Sequence, residues 1–377
     1  MKYLPIILLI TTLSINAEII TDGTLGQNIN LPGPDFQIGA DLGQQHGGNL
    51  FHSFQDFNLN SLESATFSGP NNVQNILSRV TGGNPSNIDG LIRSTIPDAD
   101  MYFLNPNGII FGPNAKLDVQ GSFHASTADY LRLGNGGRFA AQNLNNSLLT
   151  IAPVEAFGFL DNDVADISVE GHGEILSTVI EAITSIEMDN KIKELEEPYQ
   201  EKYGLTVPEG KTLSLIGGNL TIKDFPFLNI TKRFFNKDGG FDGEYEYSHN
   251  LGIMYAPNGR INLASVASKG EVKLGDDFVD VSSFTKMADI NIKEKTQIDT
   301  SGEGGGIFIR SGQFVVNDSE ITADTKGQQN GYGIDIEAND IFLTESNIFS
   351  NTEGKGNVGQ LLIVAQNNIN VEGGGYK

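Results

Sequence analysis

After the first 17 residues, short alternations of apolar and polar positions run along the chain, separated by clusters of Gly, Asn, Asp and Pro. Ser214-Leu215-Ile216, Ile261-Asn262-Leu263, Ile290-Asn291-Ile292 and Phe314-Val315-Val316 are examples. Alternation is the period of a strand, and the residues between the alternations are turn formers. The pattern therefore predicts strands of about three to five residues joined by frequent turns.

Toward the C-terminus the pattern repeats. Ile307, Ile334 and Leu361 stand 27 residues apart, as do Ile309, Ile336 and Ile363, and Ser311, Ala338 and Ala365. Phe314/Ile341, Val316/Leu343, Ser319/Ser346, Ile321/Ile348 and Thr325/Thr352 keep the register without an insertion. A looser copy starts at Ile290 and continues through Gln297. One such unit cannot bury its apolar face alone, whereas stacked copies line up equivalent side chains inside a continuous core. A coil pairs each strand in parallel with its equivalent one repeat away, so the expected fold is an all-β parallel β-helix, a single-stranded solenoid. Residues 373–377 fall within a third unit, which makes the last coil read as truncated.

One stretch departs from this pattern. Met188, Ile192, Leu195 and Tyr199 fall on one helical face within residues 177–203, and Pro198 should stop the helix. A small inserted helix near 180–200 is predicted, lying on the solenoid flank or binding a partner. Residues 224–250, with Phe225, Phe227, Phe234, Phe235 and Phe241, read as a second, irregular insertion. Its aromatics either cover the solenoid or form an exposed patch.

Composition narrows the function. Lys and Arg number 24 against 47 Asp and Glu, a net charge of −23, which argues against nucleic acid as a partner. The absence of Cys removes disulfides, Cys-ligated zinc, iron–sulfur clusters and a cysteine nucleophile. The 45 Gly fit a turn-rich β protein and lack collagen's period. Residues 1–17 join Lys2 to an apolar run from Leu4 to Leu13 and end at Ala17. This reads as a secretory signal peptide, too short for the roughly 20 residues that span a bilayer. With no Cys, it fits a bacterial protein that crosses the periplasm without forming disulfides.

The most informative text lies between residues 50 and 160. It contains Leu50-Phe-His-Ser-Phe-Gln-Asp-Phe-Asn-Leu59, Asn75-Ile-Leu-Ser-Arg-Val-Thr-Gly-Gly83 and Ser86-Asn-Ile-Asp-Gly90. Asn105-Pro-Asn-Gly-Ile-Ile-Phe-Gly112, Gly121-Ser-Phe-His-Ala-Ser-Thr-Ala-Asp129 and Phe157-Gly-Phe-Leu160 follow in order. This series resembles the N-terminal secretion domain of filamentous-haemagglutinin-type exoproteins of two-partner secretion. Gly210 to Gly218 and Gly259 to Val272 continue the likeness, which covers about residues 20–275. The resemblance implies a right-handed coil and a transport domain at 18–275 with insertions at 173–204 and 224–250. It also implies a stalk of 27-residue repeats at 276–377. The implied partner is an outer-membrane β-barrel transporter with periplasmic docking domains. The expected product is an adhesin or haemagglutinin-like protein, secreted or held at the cell surface, that meets a host-cell or matrix glycan or protein. The second Asn-Pro-Asn-Leu motif of some members is missing, since Gly69-Pro-Asn-Asn-Val73 stands there.

Asn105-Pro106-Asn107-Gly108 is a turn by its chemistry: Pro106 presets φ at a corner, Asn107 tolerates unusual φ and Gly108 accepts φ > 0. The resemblance associates Asn105, Pro106, Asn107, Gly108 and Ile109 with secretion. Arg79 either makes a charged contact with the transporter or pairs with Asp89. Two other functions remain at this level, a secreted β-helical polysaccharide hydrolase or lyase and a structural surface fibre. Glycan hydrolysis needs carboxylates converging on a groove. The trio Asp276, Asp277 and Asp280 is close in sequence only, and among 47 acids such a trio arises by chance. The five His lack metal-ligand spacing, so no enzyme, metal or cofactor is expected.

Overall fold

The computed structural model describes residues 18–171, 175–182, 187, 190–191, 204–223, 227–235, 238, 240–250, 253–275 and 277–373. The expected signal peptide lies outside them.

The chain winds as a parallel β-helix with three faces. The first face stacks Asn49–Phe57, Asn75–Val80, Asp100–Leu104, Phe123–Ser126, Thr212–Gly217 and Arg260–Ser265 in parallel. The second stacks Ser86–Ile88, Ile109–Phe111, Ile167–Glu170, Leu220–Lys223 and Ile290–Lys293. Gly306–Asn317, Gly333–Thr344 and Gln360–Glu372 then run through both faces as long bent strands. The third face has two blocks, one from Asp35–Gly39 to Lys116–Asp118 and one from Ile253–Tyr255 to Asn347–Phe349.

The 27-residue register is the pairing register. Ile307 pairs with Ile334 and Ile334 with Leu361, and the same offset joins Ser311, Ala338 and Ala365. Ile321 pairs with Ile348, and Thr325 bridges Thr352. Side chains reinforce it, since Ser319 N–H donates to Ser346 Oγ and Asn351 N–H to Asp324 Oδ1, each across 27 residues. Ile290 pairs with Phe314 and Gln297 with Glu320, the shorter period of the looser copy.

The interior is a continuous apolar column from Ile19 to Ile341. Burying each Ile, Leu or Phe there contributes roughly 1.5–3 kcal/mol. The N-terminal end is closed by antiparallel pairing of Ile19–Thr21 with Asn49–Phe57, itself covered by an Ile20–Asn30 bridge. At the other end Leu361, Val364, Ile369 and Val371 are exposed.

Two accessory sheets grow from the corners. An outer sheet of Arg138–Ala140, Tyr130–Leu133, Val154–Phe159, Gly270–Leu274 and Val279–Asp280 lies over the first face. A second apolar cluster fills the space between, with Phe51, Leu77, Leu104, Ile216 and Ala264 meeting Leu131, Phe139, Phe157 and Val272. The Phe157-Gly158-Phe159 motif belongs to this layer. Both phenylalanines are buried, while Gly158 sits against the Tyr130 ring, which leaves no room for a Cβ. The Arg138 guanidinium lies over that ring, 3.4 Å from its centroid.

A side sheet joins Ile175–Ala182, Phe227–Phe235 and Phe241–Asn250. Within the stretch expected to be irregular at 224–250, Phe227–Phe235 and Phe241–Asn250 pair antiparallel with one register shift at Phe234/Phe235, and Phe241 is exposed and edge-on to Phe235. The expected helix near 180–200 starts too early, because 175–182 is a strand in register with 227–234. Val179 and Ile180 favour that pairing. Glu187, Asn190 and Lys191 are helical, with a Lys191–Glu187 ion pair one turn apart. The rest of that predicted helix lies outside the described residues.

Candidate secretion-critical corner

Asn105 follows the first-face strand Asp100–Leu104 and Ile109 opens a strand of the second face, so residues 105–108 turn one corner of a coil. The turn closes with Gly108 N–H donating to Asn105 O at 3.1 Å. Gly108 has φ +115°, a region that a side chain disfavours. Asn105 is fully buried. Its amide nitrogen donates to Asn84 O and Ser86 Oγ, both at 3.0 Å, in the preceding coil. Its Oδ1 accepts from Asn107 N–H at 2.9 Å, and its own N–H donates to Ser126 O in the following coil. One side chain therefore fixes the turn and ties it to the coil below, while its backbone ties it to the coil above. Pro106 is buried, Asn107 half-buried, and Ile109 enters the core between Ser86 and Ile167.

Arg79 stands elsewhere, on the outer side of the first face, and is 2% exposed. Its Nε donates to Ser53 Oγ at 2.8 Å, Nη1 to Ala140 O and Ser147 Oγ, and Nη2 to Thr24 Oγ1 at 3.0 Å. The guanidinium lies 4.6 Å from the Phe139 ring centroid. It thereby joins the N-terminal segment, the first face and the outer sheet. Burial pushes its pKa down to about 10, with the nearby Asp22 charge acting in the opposite direction. Burial also works against ionisation of Asp22. Hydrogen bonds from Ser53, Thr24 and Thr81 prevail and hold its carboxyl below the usual range.

The alternative pairing of Arg79 with Asp89 is not formed. Asp89 instead accepts from Asn114 N–H at 2.8 Å and from the Asn114 amide. Arg260 and Arg310 repeat the Arg79 device further along. Arg260 donates to Gly275 O and Phe278 O, and Arg310 to Val279 O, each fastening the outer layer to the first face. No sequence motif marks these two arginines. Their alternation within the strands Arg260–Ser265 and Gly306–Asn317 was the available signal.

Other candidates do not converge. Asp280 pairs with Lys273 at the end of a hairpin, and hydrogen bonds from Ser282 hold its carboxyl below the usual range. Asp276 lies outside the described residues. His52 and His124 are buried, and desolvation pushes both down to about 4. Among the described residues no group of three or more His, Asp or Glu is placed to hold a metal.

The class of protein defined so far is a parallel β-helix with a closed N-terminal end and a first face clamped under a second layer. Residues 17–331 match the TPS secretion domain, and the chain belongs to that family. It carries the secretion domain of a two-partner secretion exoprotein. The heme/hemopexin-binding protein of Haemophilus influenzae is 33% identical over 91 residues, 23% of this chain. The chain covers only 10% of that relative's length. Among solved structures, the HMW1 secretion domain of Haemophilus influenzae overlays with a TM-score of 0.44 at 16% identity, covering 90% of this chain and 73% of that one. The filamentous hemagglutinin secretion domain overlays with a TM-score of 0.37 at 11% identity, covering 95% and 97%. Among the described residues no helix is long and apolar enough to cross a membrane.

Proposed function

We propose that residues 18–275 are recognised by the partner outer-membrane transporter and that residues 276–377 form the stalk of an adhesin or haemagglutinin-like surface protein. Residues 1–17 serve as the signal peptide for entry to the periplasm. Asn105 to Ile109 act in secretion through folding. The observation that carries this reading is the buried Asn105 amide, which bonds within its own turn and to the preceding coil. A solenoid is held by nearest-neighbour contacts, so each coil templates the next. Stepwise folding outside the cell biases the chain outward, and a corner that fails to close stalls the ratchet. Arg79 enters later, locking the outer sheet over coils already formed.

The test co-expresses the chain with its transporter. Deleting residues 105–109 should leave the protein in the periplasm, and Asn105→Ala should slow its appearance in the medium at least severalfold. Normal secretion of the deletion would sink the proposal.

A further inference from the structure

The corner between the third and first faces changes along the rod. Its turns are short at residues 208–211 and 256–259, longer at 300–305, and longer still at 323–332 and 350–359. The short turns make a terrace and the long ones a wall. The step between them holds a cleft of about 390 Å³, lined by Glu209, Asn258, Glu303, Gln329, Asn330 and Tyr332 together with two glycines. That volume is in the range of small-molecule sites.

The chemistry of the lining is one-sided. Asn258, at φ +55°, is fixed between its neighbours: its amide nitrogen donates to Glu209 Oε1 and its Oδ1 accepts from Glu303 N–H. Asn330 Oδ1 accepts from Asn357 N–H at 2.9 Å, which orients its amide. The cleft thus presents two carboxylates and pre-set amides, and no Lys or Arg is among its lining residues. At its rim the Tyr332 side chain is exposed, with a relative exposure of 57%. Carboxylates and amides accept from hydroxyl and ammonium donors, and an exposed aromatic ring offers a flat apolar platform with a polar tip. An anionic ligand meets only repulsion from Glu209 and Glu303.

We infer that this corner cleft is a binding subsite for one neutral hexose or hexosamine unit of a surface glycan, with Tyr332 as its platform and Glu209 and Glu303 as hydroxyl acceptors. The inference rests on the adhesin reading and supplies its ligand class.

The experiment uses the purified secreted chain in saturation-transfer NMR. The probes are methyl glucoside, methyl galactoside, N-acetylglucosamine, glucosamine and sialyllactose, each with and without calcium. At least one neutral or amino sugar should show transfer without calcium. Tyr332→Ala should weaken it about tenfold, as expected for a lost stacking contact. Glu303→Gln and Glu209→Gln should weaken it less, with unfolding curves unchanged. Binding that is indifferent to all three variants, a preference for the sialylated probe, a requirement for calcium, or no transfer from any probe would each overturn the subsite. Parallel adhesion of the wild-type chain to cultured cells separates the two readings. Adhesion that survives Tyr332→Ala overturns the cleft and leaves the adhesin, while absent adhesion overturns the adhesin itself.

Discussion

The first coils and the last coils solve the same packing problem differently. Between residues 36 and 123 the interior sets Phe36, Phe54, Phe57, Phe67, Phe103, Phe111 and Phe123 among aliphatic side chains such as Ile38, Ile76 and Ile92. Phe54, Phe57, Phe67 and Phe103 meet edge-on or stacked. Between 290 and 341 it holds Ile290, Ile292, Ile298, Ile307, Ile309, Ile321, Ile334, Ile336 and Ile341, with Val316, Ala323, Ala338 and a single Phe, Phe314. Where coils have equal length, identical β-branched side chains superpose and the column fills itself. Where corners differ from coil to coil, the voids differ too, and large rings in varied orientations fill them. The covering differs in the same way. The early first face lies under the outer sheet, whereas on the late strand Gly333–Thr344 the outward Asp335 is half-buried and Glu337 is exposed. The covered part therefore depends on single, irreplaceable contacts, and the regular part on many equivalent ones.

The strongest test of this contrast replaces one buried arginine in each part. Arg79→Met removes the donors to Ser53 Oγ, Ala140 O, Ser147 Oγ and Thr24 Oγ1 and the positive charge near Asp22, and should cost about 3–5 kcal/mol of unfolding free energy. Arg310→Met removes bonds to Val279 O and to Asp335, whose side chain keeps 25% of its exposure. It should cost about 1–2 kcal/mol. Denaturant titration of both variants decides it, and equal losses would erase the distinction.

Acid provides a somewhat smaller effect with the same polarity. His52 and His124 both lie in the covered part, and burial pushes each down to about 4 from the ordinary 6.5. The fold thus prefers the neutral ring. Stability is complete above about pH 6.5 and declines as pH falls toward 4, by about 3 kcal/mol for His52. Hydrogen exchange at pH 7 and pH 5 should show protection lost first at residues 49–57 and 123–126, ahead of 306–344. The reverse order would break the comparison.

The smallest effect belongs to the ladder. Ser346→Ala removes the acceptor of Ser319 N–H and should cost about 0.5–1 kcal/mol. The change should be visible as faster exchange at the Ser319 amide with little change elsewhere.

The same contrast explains what the amino-acid order revealed. Parallel pairing at a fixed offset leaves its spacing in the text, so the partners of Ile307 and Ser319 were legible. The turn at Asn105 to Gly108 was legible as well, since Pro, Asn and Gly carry turn geometry locally. The burial of Asn105 was not, because an Asn beside a Pro looks like a solvent residue until Ser86 is brought against it. The outer sheet left no period, since it pairs Phe157 with Val272 and Phe159 with Gly270 across more than a hundred residues. Asp89 looked like the natural partner of Arg79 by proximity, whereas the nearest opposing charge is Asp22, brought there by the N-terminal cap.

That long-range pairing has a kinetic meaning. For a chain delivered N-terminus first, Val154–Phe159 must wait beside the rod until Gly270–Leu274 arrives. In the interval Leu220–Lys223 and Arg260–Ser265 take their places on the second and first faces. The outer layer behaves as a latch whose two halves are made at different times. It can close only over coils already laid down, and its closure records that the intervening chain has been delivered in order.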